Sequence, residues 1–323
     1  MKNYGICLIV IIQLCTSCNN FKPEALSDYI IIREYQPFSE WTKTVVLLET
    51  ATLRFENDLP RIDGATALYP LYASFVQAVY PEGEYFPYER GNFETYERPL
   101  VGAHSTPRAY ENLINGKVDL IFCAKPSDEQ IETASKNGLK FQMTPIGKEA
   151  FVFFVNKDNT VSNLSTEQII NIYSGQITKW SELGGKRDSI RVYQRPKNSG
   201  SQTMLETIMG DVQIIEPITE NVLTFMLDIV NQTADFRNYR NALGYSFLFY
   251  ATQMVRNDKI KLLSINNIFP SNETIRNGTY PYAYEFYAIT TNTENENVNK
   301  FIEWILTEQG QYIVERTGYV PIK

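Results

Sequence analysis

The residues with the most chemical promise are hydroxyls and glycines at helix starts, with one arginine among them. Gly64-Ala65-Thr66, Ser105-Thr106-Pro107 and Ser199-Gly200-Ser201 each open a run of helical apolar spacing. The first N–H groups of a helix lack intrahelical partners and lie at the positive end of its dipole. Such a point therefore holds an anion without a full counter-charge. Arg195 stands four residues before Ser199, within reach of the same space, and a guanidinium grips an oxyanion through paired N–H bonds. Singly, each loop reads as a helix cap; three loops with an arginine read as an anion site. Bond-making chemistry has less support. His104 is the only histidine, which excludes zinc sites built from several imidazoles. Without a Gly-x-Ser-x-Gly elbow it has no serine to activate, so it reads as a loop residue. No catalytic residue, metal or cofactor is expected.

Elements that could position these loops recur along the chain. Leu68, Leu71, Tyr72, Phe75, Val76 and Val79 fall on one face of a helix over 66–80, where Pro70 sits in the tolerant first turn. Thr106-Pro107 caps and opens a second helix, which Gly116 closes. Ser127…Gln130, Ser165…Gln168 and Ser199…Gln202 have capping-box spacing. Between them, 118–123, 151–155 and 190–193 read as strands, so the pattern predicts an α/β fold with largely parallel sheets. At 323 residues the chain suits two domains. A net charge of −7 lacks the basic face that nucleic-acid binding requires, and any anion must be held by local donors. Trp180 and Tyr173 read as core, and Cys123 as a buried thiol.

The N-terminus has a different character. Lys2 precedes a short apolar run, Ile6 to Ile12, and then Leu14-Cys15-Thr16-Ser17-Cys18. The run is too short for a bilayer core, which needs about 20 residues. Residues 1–17 read as a signal peptide and Cys18 as the acylated first residue of a lipoprotein, tethered to a lipid bilayer. Residues 18–45 then read as tether and lead-in. The Tyr/Phe-rich stretch 280–287 and the following helix read as a return to the first lobe. This predicts lobe I over 46–145 plus 255–323 and lobe II over 146–254. The crossings, near 145–148 and 245–285, would serve as hinges.

Five ordered motifs resemble one family: Asp63-Gly-Ala-Thr-Ala-Leu-Tyr-Pro70, Ile146-Gly-Lys-Glu-Ala-Phe-Val-Phe-Phe-Val-Asn156, Ile172-Tyr-Ser-Gly-Gln-Ile-Thr-Lys-Trp180, Gln194-Arg-Pro-Lys-Asn-Ser-Gly-Ser-Gln202 and Gly310…Gly318-Tyr-Val-Pro321. From about residue 60 onward the chain is similar to the phosphate-binding proteins of bacterial ABC transporters. The resemblance implies a two-lobed periplasmic-binding-protein fold of type II, each lobe a mixed, mostly parallel sheet flanked by helices, with the ligand cleft between lobes. It implies an exported, monomeric receptor that delivers inorganic phosphate to a membrane permease. Residue by residue, Thr66 and the Ala67 backbone match the first anion loop, Ser105 or Thr106 the second, and Arg195, Ser199, Gly200 and Ser201 the third. Where the family carries an Asp that accepts the phosphate proton, this chain reads Cys123-Ala-Lys-Pro126. Asp63 is the expected substitute acceptor, and Lys125 the alternative that would favour a different anion. A second reading is a surface lipoprotein that binds another oxyanion, a glycan or a protein through its aromatics.

Overall fold

The computed structural model describes residues 31–88, 99–217, 222–234 and 241–322; the proposed leader, Cys18 and the start of the tether lie outside them. Two apolar cores organise the chain, linked by the long strand β3. The strands are β1 (Ile62–Gly64), β2 (Leu120–Cys123), β3 (Gln142–Asn156), β4 (Asn163–Leu164), β5 (Arg191–Val192), β6 (Ala242–Phe247), β7 (Ile260–Leu262), β8 (Ser264–Ile265) and β9 (Ala283–Thr290). The helices are α1 (Tyr69–Val79), α2 (Thr106–Ile114), α3 (Asp128–Lys136), α4 (Thr166–Tyr173), α5 (Gly200–Met209), α6 (Met226–Ala234), α7 (Asn272–Arg276), α8 (Glu296–Ile305) and α9 (Glu308–Thr317).

The larger sheet runs β1-β2-β9-β3-β6-β5, with β7 also on β3. Parallel pairing occurs within each lobe, β1 with β2 and β5 with β6, as alternating strands and helices require. The strands that join the lobes pair antiparallel: β9 with β2 and β3, and β3 with β6 and β7. Residues 142–150 of β3 lie against β9, and residues 151–156 lie against β6 and β7. One continuous strand thus belongs to both lobes. Its register shifts between Pro145 and Gly147, where a Cβ would come within 2.4 Å of the Phe286 ring, so only glycine fits that approach.

The first core gathers α1, α2, β2, α8 and α9, with Phe75 edge-on to Phe301 and Trp304 and Tyr72 stacked on Phe122 at 5.1 Å. The C-terminal helices therefore complete this lobe. Residues 260–282, expected with the first lobe, pack otherwise: Leu263, Ile265, Ile275, Tyr280 and Tyr282 are buried in the second core. Their short strands have no apolar period long enough to signal this. Residues 32–38 are not tether either, because Ile32 and Tyr35 are buried and the Phe38 N–H donates to Gln77 Oε1 at 2.6 Å. Trp180, Tyr173 and Cys123 are buried, and burial pushes the Cys123 thiol far up.

Candidate functional site

Three helix-opening loops meet in a cavity of about 430 Å³ between the lobes. That volume lies within the roughly 300–1,000 Å³ of small-molecule sites. The first loop follows β1. Gly64 approaches the Phe122 carbonyl so closely that a Cβ would lie 2.7 Å from it, and Ala65 N–H donates to that carbonyl at 2.9 Å. The chain then makes a 3-10 turn, Thr66–Leu68, into α1. Thr66 lines the cavity. Ala67 does not; its side lines a smaller neighbouring cavity, and its carbonyl accepts from the Tyr319 hydroxyl.

The second loop, Gly102–Ser105, is anchored to β1 by Gly102 N–H donating to the Ile62 carbonyl at 2.8 Å. Ser105 has φ 75° and ψ 162°, a backbone region almost confined to glycine. Ser105 precedes α2 but makes no side-chain cap, so the hydroxyl is not spent on the helix it opens. Ser105 and Thr106 both line the cavity.

The third loop belongs to the second lobe. Ser199 caps α5 by accepting from Gln202 N–H, yet the expected capping box is half made. Gln202 Oε1 instead accepts from the Arg195 N–H at 2.9 Å and the Tyr245 hydroxyl at 2.7 Å, which ties the loop to β6. Arg195 is buried and its Nη2 donates to the Thr224 carbonyl at 2.9 Å, so the guanidinium is held in place. Ser201 lines the cavity and is 1% exposed, and its Oγ has no hydrogen-bond partner among the described residues. A buried unpaired hydroxyl costs free energy, and a ligand there would relieve it.

The lobes touch across this cavity. A Cβ on Gly200 would lie 2.9 Å from Thr106 Oγ1, which brings two of the loops into contact. Beside them, Ser127 Oγ donates to Asn198 Oδ1 at 2.7 Å, and Lys197 pairs with Glu129 at 2.7 Å on the surface.

Two further expectations change. Asp63 is buried but does not line the cavity. It accepts from Gly64 N–H, His104 N–H and Asn112 Nδ2, and it contacts His104 Nδ1 at 2.8 Å. Its lone pairs are taken by protein donors, so it is no direct acceptor for an anion. Lys125 is exposed and does not line the cavity; it supplies no charge there. Conversely, His104, Arg108, Tyr88, Thr224, Phe225, Met226 and Phe247 line the cavity without having been singled out for it. Arg108 follows the Thr106-Pro107 cap directly, a signal the sequence did offer. Among the described residues no carboxylate lines the cavity and no cluster could hold a metal ion.

A two-lobed α/β chain with an anion-competent cleft defines a class of solute-binding proteins, and comparison with known proteins agrees. Residues 58–309 match the model of the PBP superfamily domain, and the chain belongs to that superfamily. It is 30% identical over 171 residues to the phosphate-binding protein PstS of Bacillus subtilis, covering 52% of this chain and about half, 53%, of that protein. It is 26% identical over 202 residues to PstS of Borreliella burgdorferi, covering 60% and 69%. Among solved structures, a Clostridium perfringens substrate-binding protein with bound phosphate superposes with a TM-score of 0.60 at 22% identity, over 81% of this chain and 98% of that one. A phosphate transport receptor from Vibrio cholerae gives 0.57 at 19% identity, over 80% and 98%. The fold is the two-lobed one the resemblance implied.

Proposed function

We propose that the protein is an extracytoplasmic receptor that captures inorganic phosphate between its lobes and delivers it to an ABC permease. One observation carries this reading: Thr66, Ser105, Thr106, Arg195, Ser199, Gly200 and Ser201, from three separate loops, line one cavity. The relatives named for phosphate support the choice of anion. Three sets of N-terminal amides and hydroxyls plus one fixed guanidinium can surround a tetrahedral oxyanion on all sides. Binding needs no cofactor and breaks no bond, so the role is that of a binder rather than an enzyme, acting as a monomer. The glycan or protein reading has less support, because among the described residues most tyrosines and phenylalanines are buried in the two cores. Anchoring at Cys18 remains part of the proposal and rests on the leader sequence. One acyl chain binds membranes only marginally, so firm attachment requires more than one on that residue.

A thermal-shift screen over phosphate, sulfate, molybdate, phosphonates and sugars tests the function, since a ligand that binds only the native state raises its stability. Phosphate should give the largest shift. A shift from a sugar with none from any oxyanion overturns the reading. For the anchor, Cys18→Ala should move the protein out of the membrane fraction, and unchanged fractionation overturns it.

A further inference from the structure

The third anion loop is held from the facing lobe. Residues 196–199 make a tight turn, closed by the Ser199 N–H donating to the Pro196 carbonyl at 3.2 Å, with Asn198 at φ 65°. Asparagine adopts this left-handed backbone more readily than most residues that bear a Cβ, yet such a conformation persists only where its surroundings fix it. Asn198 directly precedes the Ser199 cap and the Gly200-Ser201 helix start that line the cavity, so its pose sets theirs.

The first turn of α3 does the fixing. That helix packs on α2, whose Tyr110 and Leu113 belong to the first core, whereas α5, which Asn198 leads into, buries Met204 and Leu205 in the second. The α3 capping box closes on itself: Ser127 Oγ accepts from the Gln130 N–H at 3.2 Å, and Gln130 Oε1 accepts from the Ser127 N–H at 2.9 Å. Each of these side chains has a hydrogen left to donate, and Asn198 takes both. Ser127 Oγ donates to Asn198 Oδ1 at 2.7 Å, and Gln130 Nε2 reaches the Asn198 carbonyl at 3.5 Å. Lys197, and after it the Asn198 side chain, hydrogen-bond the Glu129 carboxyl and hold it below the ordinary carboxylate range. Three residues of one helical turn thus receive a single residue of the other lobe.

We infer that Asn198 is a positioning residue: docked in the first turn of α3, it holds the third anion loop against the first lobe and sets how long the ligand stays bound. This rests on the phosphate reading above and deepens it. A ligand bridging loops of both lobes leaves only after one lobe draws back, and that movement breaks the Asn198 contacts. Their energy therefore enters the dissociation rate, whereas association begins before they form. The neighbouring Lys197–Glu129 pair is exposed to water and adds little.

Stopped-flow and calorimetric titration of the full chain with inorganic phosphate tests this. Asn198→Gly keeps the left-handed turn and deletes the amide. It should raise the dissociation rate roughly 5- to 30-fold, as loss of one neutral and one charge-assisted hydrogen bond does, and change the association rate by less than about 3-fold. Ser127→Ala acts through the same contact, so adding it to Asn198→Gly should raise the rate by less than about 2-fold more. A role confined to loop stability would instead lower the melting temperature of the phosphate-free protein and leave the dissociation rate alone. Melting curves establish that each variant is folded, and Ser127→Ala carries the test if Asn198→Gly is not. A folded Asn198→Gly variant with the wild-type dissociation rate overturns the inference, as do fully additive effects in the double variant. A wild type that binds no phosphate overturns the phosphate reading itself and this inference with it.

Discussion

Replacing Arg195 by alanine is the perturbation with the largest expected effect on the cleft. The guanidinium is buried, fixed to the Thr224 carbonyl at 2.9 Å, and its backbone N–H is tied to Gln202. Little side-chain entropy remains to be lost when an anion arrives, so most of the contact appears as affinity. Removing one partner of a buried, hydrogen-bonded charge contact costs about 2–5 kcal/mol, which is roughly 30- to 4,000-fold in Kd. Arg108 lines the same cavity but is exposed to solvent. Exposed ion contacts are worth about 0.2–1 kcal/mol, so Arg108→Ala should cost no more than about 5-fold. Salt separates the two further, because screening acts on the exposed charge far more than on the buried one. The assay is phosphate titration of both variants at low and high ionic strength, with circular dichroism melts as the folding control. Equal losses in the two variants would refute the ranking, since burial would then have no bearing on how the cationic groups act. A folded Arg195→Ala variant that binds like wild type would remove the third loop from the site.

Gly200→Ala places a methyl against Thr106 Oγ1 and should hinder closure, weakening phosphate by about 5- to 150-fold, the cost of overpacking by 1–3 kcal/mol; adding Thr106→Ala should restore part of it, and an unaffected Kd would mean that the loops do not meet in the bound state. Ser127→Ala removes the bond to Asn198 Oδ1 and should raise the phosphate dissociation rate about 2- to 10-fold, whereas breaking the exposed Lys197–Glu129 pair should leave it unchanged; stopped-flow competition reads both. Burial pushes the Glu149 carboxyl up from 4.5 to about 8, partly offset by the Phe249 N–H that it accepts at 2.6 Å. A carboxyl raised in this way contributes its full stability below about 4.5 and loses it as pH climbs toward 8. Glu149→Gln should therefore flatten the fall in unfolding free energy across that window, by at most about 5 kcal/mol, and an unchanged slope in urea titrations at several pH values would contradict it.

Local features of this chain were legible and distant pairings were not. Ser127–Gln130 and Ser165–Gln168 form the capping boxes their spacing implies, because each motif closes on itself within one turn. Ser199–Gln202 has the same spacing, but Gln202 is drawn away by Arg195 and Tyr245, a choice made by tertiary contacts. Thr66, Ser105, Thr106, Arg195, Ser199, Gly200 and Ser201 were legible as helix-start residues, and the fold brings them to one cavity. The Asp63–His104 pair spans 41 residues and has no periodic signal, so Asp63 read as a ligand group and His104 as a bystander. Only part of β3 was apparent, since 151–155 is a continuous apolar run while Gln142–Pro145 is partly exposed and mixed. The packing of 260–282 in the second core depends on two- and three-residue strands, below the length at which a pattern can be read.

The central claim is that the three loops form one phosphate site closed between two lobes. Its most direct test is calorimetric titration of the wild-type chain with inorganic phosphate beside Arg195→Ala under identical conditions. The account predicts saturable one-to-one binding by the wild type and a loss of at least about 30-fold in the variant. Absence of saturable phosphate binding by the folded wild-type protein would contradict it.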